Sequence, residues 1–205
     1  MGRSSQEKAG ENRQRILDAA ARLFRAHGID GVSIADVMRD CGLTVGGFYK
    51  HFTSKDDLAA QAVSGVFDQA TASWQRAFEG ADARKQSRVG ALVPQYLSNR
   101  RAERRCPLLA FAPHAAQGAP NSDAAQAYTA GAGKLFDQFV EDTRARGGDN
   151  AEAMVLFAAM VGYRVLEQAA GNTDWMRALE AAINEKAASC ESAATLVTNA
   201  DDCKP

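Results

Sequence analysis

The chain has 205 residues, a formal net charge of −1, 46% hydrophobic residues and 24% charged residues. That is an ordinary globular mix, long enough for one large or two small domains, and its near-neutral balance carries no bulk signature of a nucleic-acid binder. No uninterrupted apolar run approaches the ~18 residues of a bilayer span, and the polar start "MGRSSQEKAGENRQR" lacks the apolar core of a secretory signal, so a cytoplasmic protein with no membrane partner is expected.

Nearly all of the chain reads as helix. The polar start "MGRSSQEKAGENRQR" is expected to form a mobile arm, in which Arg3, Lys8 and Arg13 are the candidate basic residues. From Arg13 to His27, Ile16, Leu17, Ala20, Leu23 and Phe24 recur on one face of a 3.6-residue period. Gly28 ends this first helix. Ser33 caps a second, short helix with Asp36 at the third helical position, and Ile34, Val37, Met38 and Cys41 form its inner face. Gly42 breaks it. Thr44 caps a third segment holding Phe48 and Phe52 one turn apart. Ser54, followed by the acid Asp57, caps a fourth helix. Its apolar stripe through Leu58, Val63, Val66, Phe67, Trp74 and Phe78 runs to Gly80, nearly 40 Å at about 1.5 Å per residue.

Val89, Leu92, Val93, Tyr96 and Leu97 mark a fifth helix, with a kink expected at Pro94. Pro107 suits the first turn of a sixth. Asn121 and Ser122 start a seventh, which carries Tyr128, Leu135, Phe136 and Phe139 and ends at Gly147-Gly148. An eighth runs from about Ala151 to Ala170. Thr173 or Asp174 caps a ninth, and the tail from Glu191 has too few apolar anchors to order. The fold class is all-α with about nine helices. Four scattered cysteines (Cys41, Cys106, Cys190, Cys203) and three histidines form no CxxC or ligand cluster, so no metal and no cofactor are expected.

Two short helices joined through Gly42 and buttressed by a preceding helix make a helix-turn-helix. With Phe48 and Phe52 turned inward, Val45, Gly46, Gly47, Tyr49 and Lys50 face out, where a shallow surface fits a major groove about 12 Å wide. The adjacent glycines cost about 1 kcal/mol each in helix propensity, which inward packing offsets. A helical hairpin without a ligand remains the alternative.

The run "RILDAAARLFRAHGIDGVSIADVMRDCGLTVGGFYKHFTSKDDL" resembles the DNA-binding domain of TetR-family transcriptional regulators, with every element in order over about residues 13 to 60. The resemblance implies a three-helix DNA-binding domain (1–53), a larger ligand-binding and dimerisation domain (54–190) and a tail (191–205). It implies that Val45, Gly46, Gly47, Tyr49 and Lys50 meet DNA. It also implies that His51 and Lys55 reach phosphates and that Ser33 and Thr44 contact backbone besides capping. His51 either does this or hydrogen-bonds within the domain. Two departures stand out: Gly47 where many members carry Ser or Thr, and Met38 where many carry Ala.

For the sensor half, Trp74, Phe78, Phe111, His114, Tyr128 and Phe136 are pocket candidates, each alternatively a core residue. Cys106, in "RRAERRCPLL", stands before Pro107 as the N-cap of the sixth helix. There the helix dipole and the neighbours Arg104 and Arg105 favour thiolate. It resembles the reactive cysteine of a subgroup of the family, or it is a small buried hydrophobe. The dimer interface is expected on the eighth and ninth helices. There small residues Ala158 and Gly162 alternate with Met154, Phe157, Val161 and Val165, so that two helices approach closely.

The reading is a homodimeric repressor that binds a pseudo-palindromic double-stranded DNA operator and is released by a small-molecule effector or an electrophile or oxidant. Repression rather than activation rests on the family alone. No nucleophile–base pair points to an enzyme. The competing reading is a helical ligand-binding or interaction protein without operator binding.

Overall fold

The computed structural model describes residues 2–98, 105–117, 122–145 and 149–189, with side chains from residue 6 onward. Among these residues are nine α-helices, one 3₁₀ helix and no strand. The expected tail, Arg104, Cys190 and Cys203 lie outside the described residues. The helices group into two units that interleave in sequence: Met1–Gln69 with Arg101–Ala132, and Ala70–Arg100 with Gly133–Pro205. The linear reading expects a single boundary at 53/54.

In the first unit, α1 spans Gly2–His27. Residues 2–12 are therefore helix and not a mobile arm. Gln, Glu, Lys, Arg and Ala propagate a helix well without any apolar stripe. Further along, Ile16, Ala19, Ala20 and Phe24 are buried. Gly28, at φ 79°, ends the helix, its N–H donating to Phe24 O at 2.9 Å. A positive φ is where glycine is favoured.

α2 (Ile34–Asp40) opens with the expected capping box. The Ser33 hydroxyl accepts from Asp36 N–H while the Asp36 carboxylate accepts from Ser33 N–H. The third short segment, Val45–Lys50, is a 3₁₀ helix, and the Thr44 hydroxyl makes no capping hydrogen bond there. The expected Thr44 cap is thus absent, because a 3₁₀ turn closes by i+3 backbone bonds, here Gly47 N–H to Thr44 O at 2.9 Å. Phe48 and Phe52 are both buried and stack at 5.7 Å between ring centroids.

α3 (Lys55–Ala83) continues a turn beyond Gly80. Ser54 caps it by accepting from Asp57 N–H at 2.9 Å. The sixth predicted helix is two pieces, α5 (Pro107–Ala110) and α6 (Ala112–Gln117). α7 spans Asp123–Ala145, with Ser122 Oγ accepting from Ala125 N–H. Within the first unit, the Arg25 guanidinium donates to Arg105 O and Asp123 N–H donates to the Asp56 carboxylate.

The second unit contains the later part of α3, α4 (Arg88–Ser98, running through Pro94), the later part of α7, α8 (Asn150–Ala170) and α9 (Asp174–Ser189). Its centre is aromatic: Trp74 meets Tyr96, Phe139 and Phe157 edge-on at 6.1 to 6.4 Å. Arg164 is buried. It donates to Leu97 O, a carbonyl in the last described turn of α4, and pairs with Glu167 at 2.5 Å. Arg88 bridges Asp82 and Asp142, and these bonds, Asp82 first, raise its affinity for its proton. By length and composition alone α8 is apolar enough to cross a bilayer. A search for unbroken apolar runs passes over it, and in the fold it packs on α4 and α9.

Candidate nucleic-acid interface and sensor residues

The 3₁₀ helix presents two faces. Phe48 points into the core, while Val45 is 47% and Tyr49 69% exposed. Lys50 and Gly46 are exposed and Gly47 half-buried. A Cβ at Gly46 would meet nothing within 4 Å, and one at Gly47 would lie 3.9 Å from Met38 Cε, ordinary contact. The glycines are therefore not demanded by internal packing. Met38 packs behind the turn and is fully buried.

Around this turn the polar residues sort by what holds them. The Ser33 hydroxyl accepts from Asp36 N–H at 3.1 Å and donates to its carboxylate at 2.5 Å. That hydroxyl, followed by the Ser33 N–H and then Arg39, lowers the Asp36 pKa to about 2. The Asp57 carboxylate is likewise lowered, first by the Thr53 N–H and then by the Gln61 amide. His51 is half-buried, and its ring makes no hydrogen bond among the described residues, so the internal-bond alternative is not realised there. Lys55 lies in the first turn of α3, where N–H groups point outward and negative charge is favoured.

Arg13 is not a free arm cation: its guanidinium lies 5.2 Å from the Phe52 ring centroid and bonds Gln61. Arg15 was passed over in the sequence. It donates to Cys41 O at 2.5 Å and so closes the end of α2 beside Gly42. An arginine two residues from a helical stripe gives no sign of such a long-range bond.

The seven sensor candidates divide between the units. In the first, Cys106 is the half-buried N-cap of α5, with no side-chain capping bond. α5 has four residues, so the helix dipole expected to act on the thiol is small. Tyr128 donates to Leu108 O at 3.1 Å and meets Phe67 edge-on. Its phenol pKa is raised, chiefly by burial and then by charge on Cys106. Phe111 is buried between α5 and α6. His114 Nδ1 lies 3.0 Å from Asp30, in the turn between α1 and α2. In the second unit, Trp74 and Phe136 join the aromatic centre, and Phe78 lies beneath the Arg88 guanidinium.

On α8, Met154, Ala158 and Val165 are exposed and Val161 and Gly162 half-buried. Phe157 instead meets Trp74, Phe136 and Phe139 within its own unit. The reading missed Val155, which is 69% exposed, and Leu166. Their spacing with Ala158 and Gly162, three or four residues apart, was the available signal. Beside Val155 a groove of about 450 Å³ runs between α8 and α9, floored by Leu156 and Ile183, with Glu152 and Lys186 paired at 2.7 Å.

Residues 16–62 match the family model described as "Bacterial regulatory proteins, tetR family". The chain is 39% identical over 61 residues to the HTH-type transcriptional regulator AcrR of Shigella flexneri, 30% of this chain and 28% of that one. The chain thus matches less than a third of that relative's length. Solved structures resemble it over far more of its length. A TetR transcriptional regulator from Chloroflexus aurantiacus superposes with a TM-score of 0.71 at 23% identity, covering 87% of this chain and 95% of that one. Escherichia coli NemR in its reduced form superposes with a TM-score of 0.72 at 14% identity, covering 84% and 95%. These likenesses concern the fold; the local match concerns the helix-turn-helix built from Ser33 to Lys55. Residues 16–62 thus form a DNA-binding-type domain of the tetR family of bacterial regulatory proteins, carried on an all-helical chain whose fold resembles these structures.

Proposed function

We infer that the protein is a homodimeric transcriptional repressor that binds a pseudo-palindromic DNA operator through Val45, Gly46, Gly47, Tyr49 and Lys50. The observation that carries this is the exposed 3₁₀ turn, whose outward glycines meet no internal demand for their small size while Phe48 anchors the turn from behind. A backbone free to approach base edges, with a phenol and an ammonium beside it, suits a major groove. His51 and Lys55 supply phosphate contacts, and Ser33 and Thr44 contact the DNA backbone. Partnership with DNA implies a cytoplasmic protein. Two heads about one helical turn apart require a dimer, and the exposed apolar residues of α8 support one.

A small-molecule or thiol-directed signal releases the operator. The NemR structure is of a reduced form of that protein, and a redox- or electrophile-responsive thiol is the matching proposal for Cys106. Trp74, Phe78, Phe111, His114, Tyr128 and Phe136 remain the proposed ligand contacts. Alkylation of the purified protein at neutral pH, with adducts mapped, tests the thiol: Cys106 should label faster than Cys190 or Cys203.

A salt series of binding to mixed-sequence duplex tests the DNA reading, because neutralised phosphates release counterions and affinity must fall steeply with salt. Binding without salt dependence, or none, would favour a helical interaction protein. Sequencing the genomic fragments that the protein retains would identify the operator.

A further inference from the structure

A second feature lies in the other unit, on the opposite kind of surface: a groove of about 300 Å³ between α3 and α4. Ser73, Arg76, Gly80 and Arg84 line one side and Gln95 the other, and no carboxylate lines it. Residues 73, 76, 80 and 84 recur every three or four positions, so they share one face of the helix and its continuation.

The arginines of this groove differ from half of the others described. Arg22, Arg39, Arg88, Arg164 and Arg177 each pair with a carboxylate. Arg76 makes no hydrogen bond or ion pair among the described residues, and Arg84 bonds only the neutral Gln86 amide, at 2.8 Å. The acids within reach are held elsewhere: Glu79 accepts from Gln75 and Asp82 pairs with Arg88. Gly80 helps to build the site. A Cβ there would lie 3.4 Å from Arg84 Nη1, so the guanidinium folds back into contact with the helix at this position. Two unneutralised guanidiniums, a hydroxyl and an amide around one floor give a local positive potential and a donor-rich lining. Guanidinium forks match carboxylate and phosphate oxygens.

We propose that the groove between α3 and α4 binds a small organic anion with two oxyanion groups, one held by Arg76 and the other by Arg84. Ser73 and Gln95 donate between them. The site stands whether or not the helix-turn-helix binds an operator.

The test is calorimetric titration of the full-length protein at low ionic strength with sodium pyrophosphate and with sodium succinate, against sodium chloride at matched ionic strength. At least one of the two dianions should bind saturably, and the tighter one distinguishes a phosphorylated from a dicarboxylate ligand. Arg76→Gln and Arg84→Gln should each weaken that binding at least tenfold. Arg144→Gln, at an exposed arginine near the end of α7, should leave it unchanged. Arg84→Lys, which keeps charge but loses the fork, should fall between. Absence of saturable binding, wild-type binding by either glutamine variant, or an equal loss in Arg144→Gln overturns the proposal.

Discussion

Gly131 faces the ring of Phe67 so closely that a Cβ built on it would lie 2.3 Å from Cγ. Helix propensity alone favours Gly→Ala by about 1 kcal/mol, whereas overpacking costs about 1–3 kcal/mol. Packing should win here, because the obstacle is a ring already fixed edge-on against Tyr128. Gly131→Ala should therefore destabilise the protein by about 1–2 kcal/mol in urea denaturation. Two residues along the same helix, a Cβ at Gly133 would meet nothing within 4 Å, and Gly133→Ala should stabilise by up to about 1 kcal/mol. The same sign for both would show that Phe67 moves aside.

Gly47→Leu should leave the fold intact and weaken operator binding roughly tenfold, about 1.4 kcal/mol. Its first carbon has room beside Met38, so any loss is a loss of groove fit. A gel-shift titration on the recovered operator, beside a melting curve, separates the two effects. Unchanged affinity would count against close backbone approach.

Lys55→Ala should reduce the slope of log affinity against log salt by about one, for one phosphate contact removed. Its effect should be the same on operator and on mixed-sequence DNA, because phosphate contacts carry no sequence information.

Two carboxylates of the first unit are held below their ordinary pKa and contribute to its acid sensitivity. Asp36 titrates at about 2, below its ordinary 3.8, and Asp57 is lowered in the same direction. A depressed pKa stabilises the folded state above the ordinary value, and that contribution is lost as pH falls through the folded pKa. The urea midpoint should accordingly hold down to the ordinary 3.8 and decline as pH approaches about 2. Asp36→Asn should be less stable at neutral pH and show a shallower acid decline. An unchanged acid decline would exclude the capping box as its source.

Val155→Glu and Val165→Glu should each convert the dimer to monomer. These side chains are 69% and 54% exposed on one protomer. A carboxylate buried unpaired in an interface costs roughly 3 kcal/mol, more than a hundredfold in dissociation. Sedimentation velocity across a concentration series reads the change directly.

Local chemistry was the most legible part of the chain. The Ser33–Asp36 box and the Ser54 cap could be read because their partners lie three residues apart. So could the inward Phe48 and Phe52, one turn apart. Features set by distant partners could not. Nothing near His114 in sequence announces its bond to Asp30, and nothing near Arg15 announces Cys41 O. Phe157 has an interface-like spacing, yet its ring turns toward Trp74. The helical start of α1 was hidden for a different reason: apolar periodicity is silent on a solvated helix, where propensity alone speaks. The division of the sixth helix at Phe111 needed attention to Pro113, which suits the first turn of a new helix.

The open space at Gly46, and the unstrained contact at Gly47, also bear on how such a protein can change. Substitutions there meet no core atom closer than ordinary contact, and the fold is secured from the other face by Phe48 and Phe52. Within one short turn, the residues that secure the fold are thus distinct from those proposed to set sequence preference. On the proposed reading, a lineage carrying this turn could drift toward a new operator by single small substitutions at Gly46 that leave the interior untouched.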